Sequence, residues 1–396
     1  MRTVLRSRPI RIFAVTQFLL EVQFWFPLWL IYLKDLGFTI TIAVLADGVF
    51  RLVVVACEFP LGMLADRLGR KRTYLLICVL AVITFGAITQ INSLQTLFVV
   101  WIVWGVLWAL TSGAGSAYLY ELVEQDELKI NTTKAFGLIR AIGHGAILVS
   151  LVTAGLLYDL DRRLPFAVTS ALAGIALVLT VFLPEIRGSQ RTLATLRSVF
   201  ADLRNALMGR ALRQAVLLSI LMLFYGWSIQ ILFQPLVLEL GLSPGASGFM
   251  YAGYAAASVV GGLVAGFVTD RRRRIAIGIG FAVVFVTTAL TGLAPGLGPM
   301  VWLIVMGFGY ALGWTTLEVF VNHESPRAVR ATIGSAISCL GGIGIAVARP
   351  GLGAFADYAS TASAYLVWAG IGVLVLIAAG FLLMRVRTAG ASDDLV

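Results

Sequence analysis

The chain has 396 residues, 59% of them apolar and only 13% charged, with a mean hydropathy of +0.93. Soluble domains carry about a quarter of their residues as charges, so soluble, disordered, collagen-like and disulfide-stapled classes are excluded and an integral membrane protein is left. The net charge of +10 would suit nucleic acid in a soluble chain, but basic residues beside apolar runs first report membrane topology. No nucleic-acid partner is expected. Cys57, Cys78 and Cys339 are an odd number and lie inside apolar stretches, where they read as small hydrophobes.

A helix needs roughly 20 apolar residues to cross a bilayer, and twelve such runs follow one another along the chain. The first begins near Ile10, behind Arg2, Arg6, Arg8 and Arg11. Glu21 interrupts it and no small-x-small cleavage site follows, so it is expected to stay as a span rather than be removed as a signal peptide. Five more begin near Ile42, Thr73, Gln95, Lys134 and Leu164. After the longest interruption six others begin near Gln214, Ala246, Ile275, Met300, Ala331 and Ala362. The expected architecture is an all-α membrane protein with an N-terminal six-helix bundle (1–184), a linker (185–213) and a C-terminal six-helix bundle (214–396). In the linker Leu193, Leu196, Phe200, Leu203 and Leu207 recur at helical spacing, with Arg191, Arg197, Arg204 and Arg210 on other faces. A helix lying on the anionic leaflet and a solvated linker both fit. Twenty-four of the thirty Lys and Arg residues fall in segments on one side of these spans. The positive-inside rule then puts both termini in the cytoplasm, with the chain integral to the cytoplasmic membrane.

An internal repeat supports the two halves. A shift of 198 residues pairs Gly143 with Gly341, Gly155 with Gly353, Asp159 with Asp357, Ala171 with Ala369 and Gly174 with Gly372. A shift of 204 sets Gly62, Asp66 and Arg67 on Gly266, Asp270 and Arg271. Parallel halves of this kind are transporter architecture, with a small-molecule substrate bound between them.

The sharpest motif lies between spans 2 and 3 and runs from Gly62 through Asp66, Arg67, Gly69, Arg70 and Lys71 to Arg72. Gly62 and Gly69 allow close helix approach and a tight turn. Asp66 can face the positive end of a neighbouring helix, and Arg70 can pair with Glu121 or Glu124 at the inner end of span 4. A bare topology anchor of basic residues would need no glycines at fixed spacing. This segment resembles the G-x-x-x-D-R-x-G-R-[KR] signature of the major facilitator superfamily. Glu58, Pro60 and the run Ser112 to Glu121 further resemble its drug:proton antiporter-like efflux members. The resemblance implies twelve spans, alternating access, a proton gradient as energy source, no cofactor and a monomer, with the 2/3 loop as a latch of the outward-facing state. Span 5 departs from the antiporter pattern, having Gly143, Gly145 and Gly155 but no proline, while Arg349-Pro350-Gly351 stands in span 11.

Ionisable groups inside spans are expensive and so mark function. They fall in spans 1, 2, 4, 5, 10 and 11 as Glu21, Asp47, Arg51, Glu58, Glu121, Arg140, His144, Glu318 and Arg349. At ~1.5 Å per residue, Glu21, Arg51 and His144 each lie at roughly 15 to 20 Å depth. A carboxylate alone in an apolar cavity favours its neutral form and can load a proton, whereas a nearby guanidinium favours the ionised form. Glu21 is accordingly read as a protonation site in a network with Arg51, Arg140 and His144, or as a fixed ion pair with Arg51. Asp47, one turn from Arg51, offers it another partner. Trp25 and Trp29 continue the Glu21 face at i+4 and i+8. With Trp108, Tyr118, Trp227, Gln230, Trp314, Glu318 and Arg349 they are candidates to line a substrate cavity. Arg349 either binds an anionic group or meets Glu239 or Asp357.

No G-x-x-x-x-G-K-[ST] loop, Cys/His cluster or Ser/His/Asp arrangement is present, so ATP, a metal site and an enzyme are not expected. The reading is a secondary active transporter that couples protons to efflux of hydrophobic or cationic small molecules. Uptake of an anionic metabolite is the alternative, and a non-transporting receptor or assembly protein the second.

Overall fold

The computed structural model describes residues 4–111, 114–125, 131–186, 208–326 and 329–385. Within them the secondary structure is helical, with no strand. Fifteen α-helices follow in order: α1 Arg8–Glu21, α2 Trp29–Asp35, α3 Ile40–Leu68, α4 Arg70–Ile88, α5 Leu94–Thr111, α6 Ala114–Glu124, α7 Thr132–Leu160, α8 Leu164–Val181, α9 Arg210–Gln230, α10 Phe233–Glu239, α11 Gly245–Ala265, α12 Arg273–Leu293, α13 Gly298–Glu324, α14 Arg330–Tyr358 and α15 Thr361–Arg385. Short 3-10 turns stand at Val4–Arg6 and Asp270–Arg272.

Eleven stretches among the described residues are long and apolar enough to cross a bilayer, with α5 and α6 forming one and α9 and α10 another. With the divided span α1/α2 they make the twelve-span fold. The expected interfacial helix of the linker lies outside the described residues.

Two spans are broken where a proline removes a backbone donor. Pro27 has no N–H for the Gln23 carbonyl and Pro235 none for the Ile231 carbonyl, the i−4 partners of a continuous helix. The chain accordingly leaves helix between Glu21 and Trp29 and between Gln230 and Phe233. Beyond each break a seven-residue helix ends in an acid, a leucine and a glycine: Asp35-Leu36-Gly37 and Glu239-Leu240-Gly241. Gly37 and Gly241, 204 residues apart, both turn the chain at positive φ, 92° and 71°, a region open to glycine and strained for other residues. This match belongs to the same repeat that relates Gly62 to Gly266.

The chain forms two compact units. One comprises Met1–Phe38, Ala46–Arg191 and Ser243–Phe249, and the other Thr39–Leu45, Thr192–Leu242 and Met250–Val396. The first unit packs α4 against α5 and α8, and α1 against α7 and α8. Its core holds an aromatic cluster in which Trp25 meets Trp104 at 4.5 Å and Trp29 meets Trp101 at 5.7 Å between ring centroids.

The second unit packs α12 against α13 and α15, and α9 against α13 and α14. Its helix ends are closed by carboxylates from elsewhere in the chain. Asp357 accepts from the Ile40 N–H at 3.0 Å and the Thr41 N–H at 2.7 Å, and Glu239 accepts from the Thr361 N–H at 2.8 Å. Each satisfies amides that a helix N-terminus leaves unpaired, and puts negative charge at the positive end of the dipole.

Helices α12 and α13 meet backbone to backbone, because a Cβ on Gly280 would lie 2.6 Å from the Gly313 Cα. Small residues at such crossings let membrane helices gain dispersion contact. Gly280→Ala is expected to destabilise the fold by about 1–3 kcal/mol, since the helices must part to admit the methyl. Gly370→Ala, where a Cβ meets nothing within 4 Å, is expected to be neutral. Thermal unfolding of the two variants side by side in detergent checks this.

Candidate functional site: a polar cavity and a charged turn in the first unit

The turn between α3 and α4 consists of Gly69 alone, at φ 84°. That backbone angle is what favours glycine; a Cβ there would stand 3.2 Å from Glu185 Oε1, the movable end of a flexible side chain. Gly69 aims Arg70 back across the helix ends. The Arg70 Nε donates to Glu121 Oε1 at 2.9 Å and its Nη1 to Asp66 Oδ1 at 3.1 Å. Arg70 and Glu121 are mostly buried, with side-chain exposures of 17% and 14%. Lys71 donates to the Val181 carbonyl at 2.7 Å, placing a cation at the negative C-terminal end of α8. Arg67 is exposed.

Asp66, on α3, pairs across the turn with Arg70, the first residue of α4. One sequence expectation needs correction here. Gly62 makes no close approach, since a Cβ on it would meet nothing within 4 Å. In the related segment of the second unit, Arg273 pairs with Asp270 and lies over the Phe320 ring, 4.6 Å from its centroid.

A cavity of about 310 Å³ opens between α1, α6 and α7. Helix α1 contributes Phe13, Gln17 and Glu21, which share one face at i, i+4 and i+8. Helix α7 contributes Arg140 and His144 one turn apart, and α6 contributes Gly115 and Ser116. Glu21 lies against Gly143, where a methyl would touch its Cγ at 3.4 Å. Its Oε1 accepts from Gln17 Nε2 at 2.8 Å and its Oε2 from Gln23 Nε2 at 3.4 Å. Gln17 Oε1 in turn accepts from the Tyr74 hydroxyl at 2.5 Å. The cavity thus joins a carboxylate, an imidazole and a guanidinium, with apolar walls from Phe13, Leu119, Phe136, Ile139 and Ile147.

The remaining candidates are dispersed. Arg51 donates to Asp47 Oδ2 at 3.1 Å, one turn away on α3, so the expected network of Arg51 with Glu21 is replaced by a local pair. Glu58 is half-buried on the same helix. Trp25 and Trp29 do not continue the Glu21 face, because α1 ends at Glu21 ahead of Pro27; both are buried in the aromatic cluster. Tyr118 is buried and donates to the Pro184 carbonyl at 2.7 Å. Trp108 is 43% exposed, beside Phe50.

In the second unit Arg349 is 2% exposed and donates to the Trp227 carbonyl at 2.7 Å. Its expected partners Glu239 and Asp357 are engaged at helix ends instead. Gln230 is buried, its carbonyl accepting from Tyr251 at 3.3 Å. Trp314 stacks with Tyr310 at 6.2 Å, and Glu318 is exposed.

Gln17 and Tyr74 were not legible as site residues. Gln17 had a signal, its place one turn before Glu21. Tyr74 had none, because it comes from another helix 57 positions away.

Glu121→Gln leaves Arg70 with a weaker, uncharged acceptor and is expected to destabilise the fold by about 1–3 kcal/mol. Glu124→Gln, an exposed site, is expected to change it by less than about 0.5 kcal/mol. Thermal unfolding of both in detergent separates them.

The Major Facilitator Superfamily model matches residues 12–237 and 216–394. No curated protein matches the chain. Among solved structures, the nucleoside transporter NupG is 19% identical with a TM-score of 0.78, covering 96% of this chain and 99% of its own. A bacterial homologue of the human lysosomal transporter Spinster, inward-facing and occupied, is 14% identical with a TM-score of 0.76, covering 96% and 98%. The human organic anion transporter MFSD10 is 16% identical with a TM-score of 0.63, covering 96% and 99%. These likenesses carry the fold, and the family model spans both halves. The chain belongs to the Major Facilitator Superfamily and is a secondary transporter.

Proposed function

We propose that this protein couples proton movement to transport of a small polar molecule, with Glu21 as the proton carrier. One observation carries the reading: Glu21, Arg140 and His144 face a single cavity of about 310 Å³. Charged groups inside a membrane protein are costly unless they serve a pathway or a relay. Glu21 has amide partners rather than a guanidinium, so it can exchange a proton without breaking an ion pair. The mixture of one acid and two basic groups suits a ligand rich in hydrogen-bonding groups and uncharged or zwitterionic overall. The solved nucleoside transporter of the same fold makes a nucleoside the first substrate to try.

Export of a hydrophobic or cationic molecule is the second reading, favoured by the exposed Trp108 beside Phe50. The burial of Trp25 and Trp29 removes two of the aromatic residues expected to line its cavity.

The test uses the purified protein in liposomes under an imposed pH gradient, with labelled uridine in one arm and ethidium in the other. For one proton per substrate, a gradient of about one pH unit drives about tenfold uridine accumulation. Glu21→Gln is expected to reduce this to simple equilibration while counterflow exchange continues. Gradient-driven accumulation that survives in Glu21→Gln overturns the proton-carrier role. Gradient-driven movement of ethidium without uridine establishes the second reading.

A further inference from the structure

We propose that Gln17 and Tyr74 form a hydrogen-bonded relay that turns over as Glu21 gains and loses its proton. The proposal rests on the reading of Glu21 as the proton carrier and adds two positioning residues to it.

A carboxylate only accepts, an amide oxygen only accepts, an amide nitrogen only donates, and a phenol has one proton to give. With Glu21 ionised, its Oε1 requires the N–H of Gln17, found at 2.8 Å. The amide oxygen is thereby turned to Tyr74, whose hydroxyl must donate to it, at 2.5 Å. A proton arriving on Glu21 Oε1 reverses each step. The acid O–H now donates to Gln17, the amide rotates to present its oxygen, its nitrogen donates to the Tyr74 oxygen, and the phenol proton swings away. No covalent bond changes apart from the one that receives the proton.

The surroundings hold the relay in place without holding the amide. Tyr74 is 3% exposed, its ring 5.4 Å from Phe13 and 5.6 Å from Tyr118. A Cβ on Gly115 would lie 3.1 Å from the Tyr74 hydroxyl and 3.5 Å from Gln17 Oε1, so the glycine leaves the space these groups use. Gln17 itself borders the cavity. The charged and titratable groups that α7 presents to this cavity are Arg140 and His144; α6 presents the polar Ser116, and Tyr74 of α4 meets Gln17 without lining the cavity. In the ionised arrangement the relay commits an N–H to the carboxylate and favours that form. Loss of either member therefore moves protonation of Glu21 to higher pH.

The test reads the carboxylic acid C=O stretching band by infrared titration of the full-length protein in lipid vesicles, which needs no substrate and separates Glu21 from the His144 imidazole. Glu21→Gln is expected to remove one titrating band. Tyr74→Phe keeps the ring and its packing, and is expected to move the midpoint of that band upward by about half to one pH unit. Gln17→Met is expected to move it at least as far. The double variant is expected to match Gln17→Met alone, because Tyr74 acts only through Gln17. Additive shifts in the double variant, or a band left in place by both single variants, overturn the relay and leave the proton-carrier reading standing. If Glu21→Gln removes no titrating band, both fall.

Discussion

A backbone amide or a charge in the hydrocarbon layer has no water to turn to, and each group left unpaired there costs several kcal/mol. The structure is organised around that requirement. Spans run as helices because only a helix satisfies its own amides along its length, and where Pro27 and Pro235 break the pattern the chain resumes helix within a few residues. Helix ends carry the same debt, and carboxylates settle it from across the fold: Asp357 at the start of α3 and Glu239 at the start of α15.

The charges obey the rule in a second way. Arg51 closes on Asp47 within one helical turn, and Arg70 gathers Asp66 and Glu121 around a one-residue turn. Arg349 donates a hydrogen bond to the Trp227 main-chain carbonyl. Glu21 differs from these, because its hydrogen-bond partners are the side-chain amides of Gln17 and Gln23 and it borders a cavity. An acid held by amides can change its charge with only a rotation of its neighbours. The guanidinium pairs cannot do so without losing their main attraction.

Glycine sets how closely these parts approach. Gly69 supplies a backbone angle that aims Arg70 at Glu121, and Gly143 brings α7 within contact of Glu21. Gly280 lets α12 reach the backbone of α13. The cost of helix association in a bilayer is not offset by a hydrophobic effect between helices, so close contact must supply the attraction.

Composition and periodicity by themselves determined the membrane class, the number of spans and the repeat, because these follow from local rules: about 20 apolar residues per crossing and a fixed residue shift. The Gly62 to Arg72 segment was readable for the same reason, its groups lying within a few residues of one another. Tertiary structure alone decided which charged groups share a site. Depth along separate helices allowed Glu21 to meet Arg51 or His144, and spacing alone could not choose between them. The rotation of α7 placed Arg140 and His144 at the cavity, and an intrahelical pair took Arg51 away. The face shared by Glu21, Trp25 and Trp29 held only for an unbroken helix, and the break before Pro27 ended it. Tyr74 entered through packing of α4 beside α1, a relation between distant segments that no local pattern encodes.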